Sequence, residues 1–358
     1  MTETEQRRRT ASGQLEALQI EALLISSPAS IRYLTGYAGS NGLVLLTPSE
    51  AHFFTDPRYA SDAQANITCK VHISKKPLIQ AAADLLKRKQ FRKIGIEPAW
   101  INLDQYTQLQ KALPKSATLK PLPGTIEEMR AVKSATEIGL IRRSVLLNSE
   151  ALARTLRRLK PGLKELEIAA ELDFQMRTLG AEKPAFDTIV ASGPNSALPH
   201  AHPSIRRLGA NELLLIDMGA TLEGYASDMT RMVHMGPPPP RIRDLYKAVL
   251  EAQLAAIDAV RPGIAVTKVD AAARDVLKRH KLDKAFIHST GHGLGLEIHE
   301  APRIGKKDKT KLRAGMAITI EPGAYLPGIG GVRIEDTVLV TEKGCEILTP
   351  TPKEFVNL

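Results

Sequence analysis

Residues 212–233 read ELLLIDMGATLEGYASDMTRMV, residues 317–340 read AITIEPGAYLPGIGGVRIEDTVLV, and the match between the two decides the fold. Each opens on a short apolar run, Leu213-Leu214-Leu215-Ile216 or Ala317-Ile318-Thr319-Ile320, that predicts a buried strand. Each run ends on an acid, Asp217 or Glu321. Each then turns back into a second strand with another acid, Asp228 or Glu335. Asp217 and Glu321 stand 321 − 217 = 104 residues apart.

The correspondence extends outward from these hairpins. ALARTLRRLKPG (151–162) precedes an amphipathic helix containing Ala169-Ala170, and AQLAAIDAVRPG (252–263) precedes one containing Ala271-Ala272. Pro161 and Pro262 are 262 − 161 = 101 residues apart, close to the same offset. Pro-Gly is a common helix stop, so the helix ends alone would be weak evidence. The paired acids make the case for a repeat. Two helix–helix–hairpin units are expected to pack face to face about a pseudo-two-fold axis, their sheets forming a cleft. The first helix starts at Ser134, where Ser134 and Glu137 form a capping box and Ile138, Ile141, Val145 and Leu152 share one face.

Upstream of the repeat, residues 19–48 read as strand and turn material: ALLIS, RYLTGYAGSNG and LVLLT. FFTDPRY follows, then a helix over 77–89 and a short strand KIGIE at 93–97. Strands alternating with helices predict a small α/β domain over residues 1–122. PLPG (121–124) opens a linker, taken as 123–133, and residues 134–358 form the second domain. The class is α/β (α+β). The first ten residues, MTETEQRRRT, are too polar to pack and are expected to be disordered.

Composition narrows the function classes. A net charge of +10 and a pI near 9.5 raise nucleic-acid binding. The Lys and Arg are scattered, however, and only 4% of residues are aromatic. The densest cluster, GKKDKTKLR (305–313), reads as a solvated loop. No nucleic-acid partner is expected. Cys69 and Cys345 cannot build a disulfide framework or a thiolate zinc cluster. The N-terminal arginines are followed by no apolar segment, and no run approaches a membrane span. A soluble cytoplasmic protein is the expectation.

The four acids carry the chemistry. A carboxylate in or beside a buried strand costs several kcal/mol unless a cation compensates. Arg231 and Arg333 could neutralise one or two of the acids but not all four. A pair of metal ions accounts for them together, because carboxylates that bridge two cations escape mutual repulsion. An imidazole is available in HSTGHGLGLEIHE (288–300), where His292 lies between glycines that would let the backbone approach a metal. His288 shares its face in an extended segment. The Gly-Leu-Gly stretch can redirect His299 toward them. Four carboxylates and one imidazole make a hard site suited to Mn²⁺, with Co²⁺, Fe²⁺ or Zn²⁺ as alternatives. Two such ions ~3.5–4 Å apart share a water and acidify it.

At these residues the sequence resembles the proline-peptidase branch of the pita-bread metallopeptidases, which includes Xaa-Pro aminopeptidases and prolidases. HSTGHGLGLEIHE fits that branch's signature at every specified position, and the order Asp, Asp, His, Glu, Glu fits its ligand set. RYLTGYAGSNG and FFTDPRYA resemble its creatinase-type N-terminal domain, and MRAVKSATEI (129–138) resembles the opening of its pita-bread catalytic domain. The resemblance implies that Asp217, Asp228, His292, Glu321 and Glu335 hold two divalent metals, with Glu321 also the general base. It implies that His200, in SALPHAHP, contacts the scissile carbonyl or leaving group; His202 ranks below it. His299 would bind the substrate carbonyl, with His288 and Arg333 behind the ligands.

The implied substrate is a proline-containing peptide cut at its Xaa-Pro bond, and the implied assembly is a homodimer. Arg303 resembles the arginine that grips a dipeptide's carboxylate in prolidases, but aminopeptidases of the branch often carry it too, so both activities stay open. A creatinase-like enzyme and a metal-free binding protein of the same fold are the alternatives, and the complete ligand set argues against each. Methionine aminopeptidase is disfavoured by the extra N-terminal domain.

Overall fold

The computed structural model describes all 358 residues, Met1–Leu358, as two compact units, Met1–Arg130 and Ala131–Leu358. In chain order the first holds α1 (Glu3–Gly13), β1 (Ala22–Ile25), α2 (Pro28–Thr35), β2 (Leu43–Leu46), β3 (Ala51–Thr55), α3 (Ala60–Asn66), β4 (Lys70–Ile73), α4 (Leu78–Arg88), β5 (Lys93–Ile96), α5 (Leu103–Ala112) and β6 (Thr118–Pro121). The strands form one mixed sheet, ordered β4-β3-β2-β1-β5-β6, in which only β2 runs antiparallel to its neighbours. Leu78, Ile79, Ala82, Leu85 and Leu86 of α4 recur at helical spacing and pack on the apolar residues of β1, β2 and β5. The next helix, α6 (Thr125–Ala131), lies within the stretch read as linker.

Two expectations for this unit are corrected. The polar N-terminus is a helix: Thr2 and Glu5 form a capping box, and Arg8 is buried, donating to Leu34 O at 2.7 Å and Thr68 Oγ1 at 2.7 Å. Local capping and long-range guanidinium bonds replaced the apolar face that the sequence lacks. Residues 28–35, read as strand and turn, are also helical. Ser27 caps that helix, Pro28 stands in its first turn, Ile31 and Leu34 are buried three apart, and Gly36 ends it with a φ of 79°. These are start and stop signals that the strand reading passed over.

The second unit is built from two similar halves. The first comprises α7 (Ala135–Leu156), α8 (Glu165–Thr178), β7 (Lys183–Pro184), β8 (Ile189–Ser192), β9 (Leu213–Met218), β10 (Ala220–Leu222), β11 (Tyr225–Ala226) and β12 (Met229–His234). The second comprises α9 (Pro240–Asp258), α10 (Val266–Arg279), β13 (Gly291–Gly293), β14 (Glu300–Ile304), β15 (Ala317–Ile320), β16 (Gly323–Leu326), β17 (Gly330–Arg333) and β18 (Asp336–Val340), followed by β19 (Cys345–Ile347) and β20 (Val356–Asn357). Each half has a helix pair, a central strand (β9 or β15), a side hairpin (β10–β11 or β16–β17) and an antiparallel return strand (β12 or β18). Their sheets are ordered β20-β12-β9-β8 and β14-β13-β15-β18-β19.

The halves are joined where their return strands start. Glu335 N donates to Thr230 O at 3.3 Å, and Thr337 Oγ1 donates to Asp228 O at 3.0 Å. Strand β9 is buried along its whole length: Leu214, Ile216 and Met218 pack with α7 and α8, while Leu213 and Leu215 enter the other half's core. A two-residue period therefore puts Asp217 on the face that looks toward the second half.

The Ser134–Glu137 capping box is formed, with Ser134 Oγ accepting from Glu137 N at 3.2 Å and Glu137 Oε2 accepting from Ser134 N at 3.0 Å. Ser134→Ala is expected to lower the unit's stability by about 1 kcal/mol. Urea melts of the two proteins check this, and equal midpoints would show that the cap contributes nothing.

Candidate metal centre

Asp217 lies in β9, Asp228 just before β12, Glu321 just after β15 and Glu335 just before β18. Four matching strand ends thus deliver four acids to one place, a cavity of about 600 Å³. The same cavity is lined by His200, His202, His288, His292, His299, Arg303 and Arg333. Every site residue expected from the sequence faces it.

The closest grouping is Asp228, His292 and Glu335, whose ligand atoms all fall within 4.8 Å of one another. His292 Nε2 stands 3.6 Å from Asp228 Oδ2 and 3.5 Å from Glu321 Oε1, while its Nδ1 donates to Gly293 O at 3.0 Å. Burial pushes the His292 imidazole down to about 4, so at neutral pH the ring carries one proton, on Nδ1. Its Nε2 lone pair then points at carboxylate oxygens. Where the carboxyls are ionised, acceptor faces acceptor, an arrangement that a cation between them resolves.

Other observations agree. Asp217 Oδ1 is buried and has no hydrogen-bond partner, although Oδ2 takes Arg333 Nη2 at 2.6 Å. Burial, then the charges of Asp217 and Glu321, push the Asp228 carboxyl well above the usual range. Burial, then Asp228, Glu321 and Asp217, do the same to Glu335. Burial raises Glu321 to about 8 against the opposing pull of Arg333. One guanidinium cannot neutralise four such groups. Arg231, the other arginine considered, pairs with Asp336 at 2.8 Å instead. The donor set therefore fits divalent cations, which would let these carboxyls ionise together.

Arg333 is the hub behind the acids. Besides Asp217 it donates to Tyr325 OH at 2.7 Å, Pro199 O at 3.1 Å and Thr230 Oγ1 at 3.1 Å. Thr230 Oγ1 in turn donates a hydrogen bond to Glu335 Oε2 at 2.8 Å. Tyr325 OH meets His288 Nε2 at 2.9 Å, and His288 Nδ1 donates to Ser289 O at 2.8 Å. His288 thus sits behind the acids, pushed down to about 4 by burial and then by Arg333. His299 stacks edge-on to His292, with ring centroids 4.4 Å apart.

The glycines around His292 serve the packing of the strands. A Cβ on Gly291 would lie 1.9 Å from Thr319 O, and one on Gly293 would lie 2.3 Å from Ala301 O. They let neighbouring strands close on β13. Sequence reasoning missed Thr230 and Tyr325. Thr230 shares the parity of Asp228, a signal that was available, whereas nothing in the sequence ties Tyr325 to Arg333. Phe186, Ile189 and Ile298, further lining residues, were likewise unmarked.

Two pseudo-symmetric halves closing on a buried carboxylate–imidazole cluster define a pita-bread metallohydrolase. A model of metallopeptidase family M24 matches residues 139–342, and a model of the Creatinase/Prolidase N-terminal domain matches residues 7–132. The chain belongs to metallopeptidase family M24 and is a metallopeptidase. It is 37% identical to the Xaa-Pro dipeptidase of Pyrococcus furiosus over 340 residues, covering 94% of this chain and 95% of that one. The solved Xaa-Pro dipeptidase from Bacillus anthracis superposes with a TM-score of 0.96 at 35% identity, covering 99% of this chain and 100% of that one. The X-Pro aminopeptidase from Thermotoga maritima gives 0.90 at 34% identity, covering 96% of this chain and 100% of that one. No helix is long and apolar enough to cross a membrane.

Proposed function

We propose that the protein is a dinuclear-metal proline peptidase that hydrolyses the Xaa-Pro bond at the N-terminus of short peptides. The observation that carries the reading is the lone pair of His292 Nε2 facing Asp228 and Glu321 in a cavity that also holds the unpartnered Asp217 Oδ1. Asp217, Asp228, His292, Glu321 and Glu335 would hold the metals, and Mn²⁺ is the ion this hard donor set favours. When bound, the ions supply Lewis acidity toward the scissile carbonyl and toward water.

The chain's own residues do the rest. Glu321 takes a proton from the attacking water and returns it to the proline nitrogen as the C–N bond breaks. His299, held largely neutral by burial and by its neighbour His200, donates to the carbonyl oxygen as negative charge develops there. His200 lies at the leaving-group side. Arg333 and His288 hold the acids and Tyr325 in place. Proline's fixed φ and missing amide hydrogen give a shaped site something to recognise that ordinary peptidases handle poorly.

In this reading residues 134–358 form the catalytic domain, and residues 1–122 form a non-catalytic domain joined to it through 123–133. A homodimer in the cytoplasm is the setting that the family resemblance favours. Mn²⁺-loaded protein assayed on Ala-Pro and Ala-Pro-Ala tests the activity. Hydrolysis of neither, with Mn²⁺, Co²⁺ or Zn²⁺, would overturn it.

Dipeptide preference is favoured by Arg303, whose side chain lines the cavity and can meet a free carboxylate. Arg303→Ala is expected to raise KM for Ala-Pro by about 10- to 100-fold, the worth of one charged hydrogen bond, and to leave Ala-Pro-Ala nearly unchanged. Equal effects on both peptides would remove Arg303 as the determinant of length.

A further inference from the structure

His200 is carried on an awkward segment. Between the 3₁₀ turn Gly193–Ala197 and the start of β9 at Leu213 the chain forms no helix or strand, and His200 and His202 are both exposed. A side chain on such a segment would lose much entropy in adopting one reactive pose. Something must hold the loop.

The neck of the loop closes on one carboxylate. Glu165, in the first turn of α8, is fully buried and lies outside the cavity lining. Its Oε1 accepts from Ser192 N at 2.7 Å, Ser192 Oγ at 2.7 Å and Asn195 Nδ2 at 3.0 Å. Its Oε2 accepts from Ser204 N at 3.1 Å, Ser204 Oγ at 2.6 Å and Asn195 Nδ2 at 3.2 Å. Ser192, the last residue of β8, and Ser204 flank the stretch that carries His200. Arg206 backs the knot by donating to Ser192 Oγ at 2.6 Å. On the opposite side, Arg333 holds Pro199 O at 3.1 Å and Ser196 Oγ accepts from Gly331 N at 3.0 Å. The loop is pinned at its neck by Glu165 and beside His200 by Arg333.

We propose that Glu165 is a positioning residue for the peptidase reaction: by tying Ser192 to Ser204 it fixes the loop that presents His200 to the substrate. A carboxylate suits the task because both of its oxygens accept, and the loop offers it only donors. An amide in its place keeps the shape, but its NH₂ would meet Ser204 or Ser192 N–H groups head on. The proposal rests on the peptidase reading for its kinetic consequence and on geometry alone for the clamp.

Two measurements on the full-length protein test it. In metal-free protein, Glu165→Gln is expected to accelerate hydrogen–deuterium exchange across residues 193–204 while the rest of the second unit exchanges as before. In Mn²⁺-loaded protein it is expected to lower kcat for Ala-Pro by about 100-fold, the scale of a 1 Å misplacement, with KM changed far less. In a His200→Ala background the same substitution should lower kcat less than about twofold, since the group it positions is gone. Should Glu165→Gln fail to fold, Ser204→Ala removes a single clamp bond and is expected to show the same pattern at about tenfold. Unchanged exchange over 193–204, or a kcat loss that persists in full without His200, would overturn the proposal. Wild-type protein inert on both peptides would instead overturn the peptidase reading, and the exchange result would still decide the clamp.

Discussion

Glu321→Gln is expected to cut kcat/KM for Ala-Pro by about 10³-fold or more while the protein stays folded. General acid–base catalysis contributes roughly 10²- to 10⁴-fold, and Glu321 serves twice, accepting the water proton and supplying charge to the cation site. Burial holds its carboxyl up at about 8 in the absence of cations, and bound cations favour the ionised form, which is the form that takes the water proton. Glutamine keeps the volume and one carbonyl oxygen but cannot take the proton. The variant should not be unstable, because it removes one of four buried acids that repel each other. Metal-free Glu321→Gln is therefore expected to melt no lower than metal-free wild type at pH 8. Steady-state kinetics and circular-dichroism melts together separate lost chemistry from lost fold. Near-normal turnover would sink the role given to Glu321.

The placement of Glu321 among the other acids is largely legible in the sequence. An acid placed after a four-residue apolar run costs free energy wherever the run is a strand, and the same cost incurred twice, 104 residues apart, implies a shared remedy. The two-residue period of β9 then fixes the face of Asp217. What stayed hidden depends on contacts between segments distant in sequence. Tyr325 reaches Arg333 across the β16–β17 hairpin, and Glu165 gathers Ser192, Asn195 and Ser204 from up to 39 residues away. No local pattern announces such partners. The N-terminal helix shows another limit. Composition called for disorder over the first ten residues, but Arg8 found carbonyl and hydroxyl acceptors on Leu34 and Thr68, and those bonds replaced the missing apolar face. The strand reading of residues 28–35 failed for a different reason, since Ser27, Pro28 and Gly36 were visible helix punctuation that went unweighed.

Removing the metals is expected to make stability fall steeply with pH above neutrality, and the sign follows from the site's own groups. Asp228, Glu321 and Glu335 have folded-state carboxyls raised above their unfolded values, so the folded chain binds more protons than the unfolded one through neutral pH, with Glu321 ionising near 8. Stability conferred by such groups is present at low pH and lost as pH rises through the folded value. His288 and His292 act in the opposite sense. Each is lowered to about 4, so each makes the protein more stable as pH climbs from about 4 to the ordinary histidine range near 6.5. The two trends offset each other below about pH 6.5 and separate above it. Between about pH 6.5 and 8 the histidine contribution is complete and the carboxyl contribution is still being lost. One carboxyl crossing that window costs about 2 kcal/mol, and in a unit of this size that lowers Tm by roughly 4–8 °C. Bound cations remove the cause, since they stabilise the ionised acids and favour the folded state by mass action. Calorimetric scans of chelator-treated protein at pH 6.5, 7.25 and 8, repeated with excess Mn²⁺, should show a falling Tm without the ion and a higher, nearly level Tm with it. A chelated protein whose Tm is constant from pH 6.5 to 8, and which Mn²⁺ does not raise, would mean that these acids are reconciled by something other than metal.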